Sequence, residues 1–255
     1  MAERRRGWLF LLLLLSFLAA FPFRLERTYQ WLRLKKVFFE GCPSSRIERQ
    51  FFAGIPSDVW RFWPLFLGKR SELISTITEQ EPLAVRLEPL WQGLRCCMIP
   101  LKIVDVFSWN GCPWYLAENG AVWSGDHPIN KELYGVPNKP EITVDASMPS
   151  PVAGEAPVRQ FAYDLATFTE NMQKIRNARW PGVLAALRLF RQGGEDLASV
   201  YLRQKDGFVT IVVDRNRDIG AQVQAVIELF RSGVKIKSGG IIDASYKDKI
   251  VVQDS

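Results

Sequence analysis

Two closely spaced serine–lysine patterns and one lone histidine are the raw material for catalysis in this 255-residue chain. Ser232-Gly233-Val234-Lys235 has the S-x-x-K spacing in which a lysine activates a serine nucleophile. Lys237-Ser238-Gly239 fits the K-[ST]-G element that accompanies it in acyl enzymes. Those elements work from a helix start and a distant strand, whereas here they fall within eight residues behind an apolar helical pattern. Gly233 and Gly239-Gly240 therefore read as a helix-to-strand turn. Gly125-Asp126-His127-Pro128 sets an acid beside an imidazole, without a G-x-S-x-G elbow to supply the nucleophile. Glycine-rich phosphate loops of either common pattern are missing, and no carboxylate pairing marks a general acid and base. The expectation is a protein without catalysis and without a cofactor.

Cys42, Cys96, Cys97 and Cys112 form no CxxC, and His127, the sole histidine, does not complete a zinc set of the usual type. Small apolar core positions suit them better than disulfides, and adjacent Cys96 and Cys97 would point to opposite faces of a strand. The net charge of +6 is spread along the chain, as expected of a solvated surface beside anionic lipid head groups. No basic run interleaved with aromatics points to nucleic acid, which is not expected as a partner.

Residues of these types need elements to position them, and the pattern alternates between strands and helices. Leu34–Glu40 reads as a strand closed by Gly41 and Pro43. A short helix follows through Ile47, Phe51 and Phe52, then an irregular apolar connection over residues 55–68. Ser71 opens a second helix striped by Leu73, Ile74 and Ile77. Leu83, Val85 and Leu87 alternate with Ala84, Arg86 and Glu88 as a half-buried strand, and a further strand region runs from Leu94 to Val106, bent at Pro100. This is a compact two-layer unit of three strands covered by two helices.

Beyond Trp109, Trp114–Leu116 and Ala121–Trp123 flank Asn119-Gly120 as a hairpin in which both turn residues take positive φ. A proline-rich excursion over residues 124–160 carries one strand at Glu141–Val144. Helices are expected at Asp164–Asn177, from Pro181 through Val183, Leu184, Leu187 and Phe190, and over about 220–231. Leu197–Arg203 and Phe208–Val213 pair around Asp206-Gly207, and the last strands are Gly240–Tyr246 and Lys249–Val252.

At the N-terminus Arg4, Arg5 and Arg6 abut an uncharged run from Gly7 to Phe23. A helix of that length reaches about 25 Å, near the short limit for crossing a bilayer, and the arginines would keep the leading end in the cytoplasm. A cleaved signal peptide is the competing reading, but cutting after Ala20 places Leu18 at −3 and cutting after Ala19 places Phe17 there. Tyr29 and Trp31 in the lead-out suit the lipid interface.

This order of parts resembles the bacterial cell-division family FtsQ, also called DivIB, on three stretches. Leu34–Gly41 (LKKVFFEG), followed by two helices and the Pro82–Leu87 strand, resembles the opening of that family's POTRA domain. Tyr115–Trp123 (YLAENGAVW) resembles an early β-domain stretch, and Ile242–Val252 (IDASYKDKIVV) resembles the terminal strand segment. Ala244-Ser245 stands where the family has Leu-Arg, and the cytoplasmic tail is very short.

The resemblance implies an α+β fold: a single N-terminal transmembrane helix, a small βααββ POTRA-like domain and a mixed α/β β-domain with a C-terminal antiparallel sheet. The expected boundaries are a cytoplasmic tail 1–6, a transmembrane helix 7–23, a lead-out 24–33, the POTRA-like domain 34–106 and the β-domain 107–255. It implies a single-pass protein of the inner (cytoplasmic) membrane, N-terminus in, with its bulk in the periplasm. It further implies a non-catalytic divisome scaffold that binds the small coiled-coil proteins FtsB and FtsL and links early division proteins to septal peptidoglycan synthesis. Binding would add a partner segment to the exposed edge of the final strand. Ser245, Tyr246, Lys247, Ile250 and Val252 are the partner-binding candidates, with Tyr246 first because aromatics dominate interface energetics. Packing of the Tyr246 ring on a neighbouring helix is its other reading. The alternatives are a membrane-tethered periplasmic cell-wall enzyme or a POTRA-bearing secretion or envelope-assembly component.

Overall fold

The computed structural model describes residues 33–255 apart from 42–43, 62, 92, 136–140, 206, 235, 248 and 254–255. Its chain forms two compact units. One runs to Thr78 and resumes at Leu83–Pro100; the other holds Glu79–Pro82 and Leu101–Ser255.

The smaller unit contains β1 (Lys36–Glu40), α1 (Ser45–Gly54), α2 (Ser57–Arg61), a 3-10 turn at Trp63–Leu65, α3 (Phe66–Thr78), β2 (Leu83–Leu90) and β3 (Gly93–Pro100). β3 is central, parallel to β1 and antiparallel to β2. Alternation assigns the faces: Leu87 pairs with Cys96 and Val85 with Met98, and Leu87, Cys96 and Met98 are buried. Ile47 and Phe51 of α1, Val59 of α2 and Phe66, Leu73 and Ile77 of α3 are the buried residues of its described helices. Phe39 meets Phe51 edge-on at 5.5 Å, which ties β1 to α1. The connection expected to be irregular over 55–68 is largely helical, and α3 starts at Phe66 rather than Ser71.

Among the described residues the larger unit holds one eleven-stranded sheet, two α-helices and a π-helical turn at Asn130–Tyr134. Its strands are β4 (Ile103–Trp109), β5 (Cys112–Ala117), β6 (Ala121–Ser124), β7 (Ile142–Val144), β8 (Val152–Ala153) and β9 (Val158–Phe161), then α4 (Leu165–Arg176). β10 (Val183–Gln192), β11 (Glu195–Gln204), β12 (Gly207–Asp214), α5 (Ile219–Arg231), β13 (Ile241–Asp243) and β14 (Val251–Gln253) follow. The spatial order is β14-β13-β12-β11-β10-β7-β4-β5-β6-β9-β8. Phe168, Met172 and Ile175 of α4 and Ile219, Val223, Val226 and Ile227 of α5 share a core with Leu187, Leu202, Val209 and Ile211, so both helices cover one sheet face. Asp164 and Asp218 cap the two helices, each accepting from two first-turn amides. A cap of this kind is worth about 1 kcal/mol.

Several expectations are corrected. The fold is mixed α/β around one large sheet, not a C-terminal antiparallel sheet: β7 runs parallel to β4 and β10, and β13 parallel to β12. Among the described residues no helix is long and apolar enough to cross a membrane. The segment 7–23 expected to do so, with Arg4, Arg5 and Arg6, lies outside the described residues. The helix expected from Pro181 is strand β10, whose Leu187 and Leu189 are buried on one face. A short apolar run carries no decisive period, and pairing along β11 from Val183↔Arg203 to Gln192↔Glu195 overrides the helical propensity of Leu-Ala-Ala-Leu. The strand region 94–106 is two strands in different sheets, β3 and β4, parted after Pro100.

The Asn119-Gly120 hairpin exists, but only Gly120 has positive φ (+81°). Gly120 N donates to Ala117 O at 3.0 Å, and Asn119 Oδ1 accepts from Ala121 N at 3.1 Å. That is a three-residue loop with glycine at its left-handed position, not a two-residue turn. Of the cysteines, Cys96 is buried as expected. Cys97 is half-buried and donates to Glu40 Oε2 at 3.3 Å, Cys112 is exposed, and Cys42 lies outside the described residues.

Candidate interaction edge

The chain reaches the sheet margin through two short strands joined by a turn. β13 lies parallel to β12 with Ile242 opposite Ile211 in the core, and Ala244 N continues the pairing with Val212 O at 2.8 Å. β14 folds back antiparallel on β13, pairing Val252 with Ile242 and Val251 with Asp243. β14 ends the strand order, so its outer side faces no other strand among the described residues. A strand there presents backbone N–H and C=O groups to an extended peptide.

Local hydrogen bonds shape the turn. Asp243 Oδ1 accepts from Ser245 N at 3.0 Å and from Ser245 Oγ at 2.6 Å, an Asx-type turn that ends β13. Arg217, from the loop between β12 and α5, donates from Nη1 to Ser245 O at 2.7 Å and from Nη2 to Lys247 O at 3.3 Å. A planar guanidinium fork thus holds two carbonyls of the turn. Tyr246 is 49% exposed, and the Lys249 ammonium stands 5.0 Å from its ring centroid.

The five candidate residues therefore separate. Only Val252 lies on β14, and it is exposed; Ile250 is half-buried and packs against the main core. Ser245 and Tyr246, expected at the end of a Gly240–Tyr246 strand, lie with Lys247 in the turn instead, because Ser245 bonds back to Asp243 and removes the segment from the ladder. Exposure of Tyr246 disfavours a ring packed on a helix. Arg217 escaped the sequence reading, since an arginine ahead of a capping aspartate carries no sign of a contact 28 residues away.

The residues considered for catalysis have local partners. Ser232 Oγ donates to Leu229 O at 2.7 Å and closes α5; Lys235 lies outside the described residues. His127 Nε2 is 2.9 Å from Gln80 O and Nδ1 is 3.3 Å from Ile129 N, so the ring braces a loop. Among the described residues no three of His, Cys, Asp and Glu are grouped to hold a metal. A shallow groove of about 690 Å³ runs beside the start of α4, lined by Val104, Glu118, Leu165, Thr169 and Glu170.

No family model matches this chain, and no curated protein matches it. The functional reading therefore rests on the residues and on the geometry of the edge.

Proposed function

We propose that this chain is a non-catalytic division scaffold of the FtsQ/DivIB type, working at the extracytoplasmic face of the cytoplasmic membrane. Its partners are single-pass coiled-coil proteins like FtsB and FtsL, captured by strand addition to β14. The observation that carries the reading is the terminal position of β14 in the sheet, beside a turn that exposes Tyr246. The smaller unit's order, one strand, then helices, then two strands, supports it, although three helices stand where two were expected; so do strands at Cys112–Ala117 and Ala121–Ser124 where the family-like stretch falls. Main-chain pairing would give affinity, and alternate side chains such as Val252 would give selectivity.

Removing the whole segment from residue 240 would also delete Ile242 and Ala244 from the core, so the cleaner test is truncation after Ile250. That variant is expected to fold and to lose co-purification with FtsB- and FtsL-like partners. Undiminished co-purification overturns strand addition at β14. Tyr246→Ala is expected to weaken partner binding by about 2 kcal/mol.

A further inference from the structure

At one end of the eleven-stranded sheet, on the face opposite the helices, exposed apolar side chains bracket a row of cations. Val183 pairs across β10–β11 with Arg203, and Arg203 pairs across β11–β12 with Phe208. The neighbours Leu202 and Val209 point to the helix-covered core, so Arg203 and Phe208 stand on the other face. In the next register Thr210 pairs with Ile241, which shares that face. Val183 is 59%, Phe208 51% and Ile241 38% exposed. Isolated exposed hydrophobics are ordinary, but three in adjacent registers form a patch.

The rim is basic. Lys205 sits in the β11–β12 turn, and exposed Lys237 is brought close because Gly207 backs directly onto Ser238 and Gly239 N donates to Phe208 O at 2.8 Å. Among the described residues Arg203, Lys205 and Lys237 form no ion pair, in contrast to Arg188 and Arg191 of β10, which pair with Asp145 and Asp196. Asp206 is the acid of the turn and lies outside the described residues.

We propose that this patch is a docking surface for an anionic phospholipid bilayer. Phe208, Val183 and Ile241 would enter the head-group–acyl boundary while the Arg203 stem lies along them and its guanidinium meets a phosphate. Lys205 and Lys237 add electrostatic attraction, each basic group near an anionic leaflet contributing about a five-fold factor in partitioning. Charge complementarity selects the occupant: a zwitterionic surface offers the apolar residues the same boundary but leaves three cations without counter-charge. The inference is independent of the scaffold reading, because it uses neither β14 nor its turn.

The test compares the full chain on vesicles of phosphatidylcholine alone and on vesicles with about one third phosphatidylglycerol; residues 1–32 include Arg4, Arg5 and Arg6, so their share of the anionic preference is removed by comparing parent and variants, which have those residues in common, on the same vesicles. Amide hydrogen exchange around residues 203–209 should slow only on the anionic vesicles. Replacing Arg203, Lys205 and Lys237 together by Gln should lower the anionic increment on the order of a hundred-fold. Phe208→Ser should lower it about ten-fold. Both variants should keep the wild-type thermal midpoint, the altered side chains being exposed. Equal protection on both vesicle types, or wild-type anionic binding by the triple variant, overturns the proposal. Protection by soluble polyglutamate as strong as that by vesicles also overturns it and assigns the patch to an acidic protein.

Discussion

The Arg176 guanidinium at the end of α4 holds both carboxylate oxygens of Asp105 on β4, Nη1 to Oδ2 and Nη2 to Oδ1, each at 2.8 Å. The Asp105 side chain is only 9% exposed, and the Arg176 side chain 29%. Arg176 Nε lies 3.4 Å from Glu141 Oε2, immediately before β7. One side chain thereby joins the last turn of α4 to two neighbouring strands, and it is a cation at a helix C-terminus, where the backbone dipole favours positive charge. Asp105 holds the Arg176 guanidinium above its ordinary range, chiefly through this hydrogen bond.

Breaking that pair from one side strands the other charge. Asp105→Ala is expected to destabilise the larger unit by about 2 kcal/mol, since the part-buried Arg176 would keep only the longer contact to Glu141. Joint replacement by Asp105→Leu and Arg176→Met should recover most of the loss. Denaturant unfolding of the single and double variants measures both. Equal destabilisation by the two would show that the stranded charge does not set the loss.

A second carboxylate predicts an acid-side transition. Asp145, just after β7, accepts Ser147 N on Oδ1 at 2.9 Å and Arg188 Nε on Oδ2 at 3.1 Å. The Ser147 amide first, then the Arg188 guanidinium, lower its pKa from 3.8 to about 2. A depressed acid stabilises the fold fully above its unfolded pKa and loses that contribution as pH falls through the folded value. Asp145→Asn should therefore be less stable than the parent near neutrality, with the gap closing between about pH 4 and pH 2. A gap in thermal midpoint that stays constant through this window refutes the assignment.

How far the sequence revealed this fold depended on whether the signal was local. Alternation in Leu83–Leu90 and the capped stripes at Asp164 and Asp218 identify their elements, because neighbours in sequence decide them. β10 was concealed because its apolar run fits a helix as well as a strand. Reading it as a helix also hid Gly193-Gly194, whose φ values of +60° and +89° make the tight turn to β11. The parallel pairings are invisible to local pattern: Leu187 meets Ile142, and Phe107 meets Ile142 from the other side. The same limit applies at the edge, where Val252 is recoverable from its strand-like segment but the Arg217 hold on Ser245 and Lys247 is not.

One buried amide organises the loop after β6. Asn130 is 2% exposed; its Oδ1 accepts from Trp123 Nε1 at 2.8 Å, and its Nδ2 donates to Ser124 O at 3.0 Å and Gly125 O at 2.7 Å. Trp123 in turn stacks on Tyr115 with ring centroids 5.4 Å apart. Asn130→Ala leaves a buried indole N–H and two carbonyls without this partner, at a cost of about 2 kcal/mol. Asn130→Asp should preserve the indole bond yet forfeit both donations, and it should be destabilising for that reason. Near-UV circular dichroism, which reads the Trp123 environment, should change in both variants; an unaltered spectrum with wild-type stability contradicts the role.

Arg217 gives the most direct test of how the edge is held. Its fork binds Ser245 O and Lys247 O, while its own amide donates to Asp214 O at 3.4 Å, so the turn before β14 is tied to the end of β12. A lysine lacks the planar fork needed to hold both carbonyls in one geometry. Arg217→Lys is therefore predicted to speed hydrogen exchange at residues 245–247 and in β14, with global stability changed by less than about 1 kcal/mol. If the edge captures an extended partner segment, the loosened strand must be ordered at the moment of binding, and affinity should fall several-fold, mainly through faster dissociation. Wild-type exchange in Arg217→Lys would eliminate the clamp. Faster exchange with undiminished partner affinity would instead separate the order of this turn from the function proposed for β14.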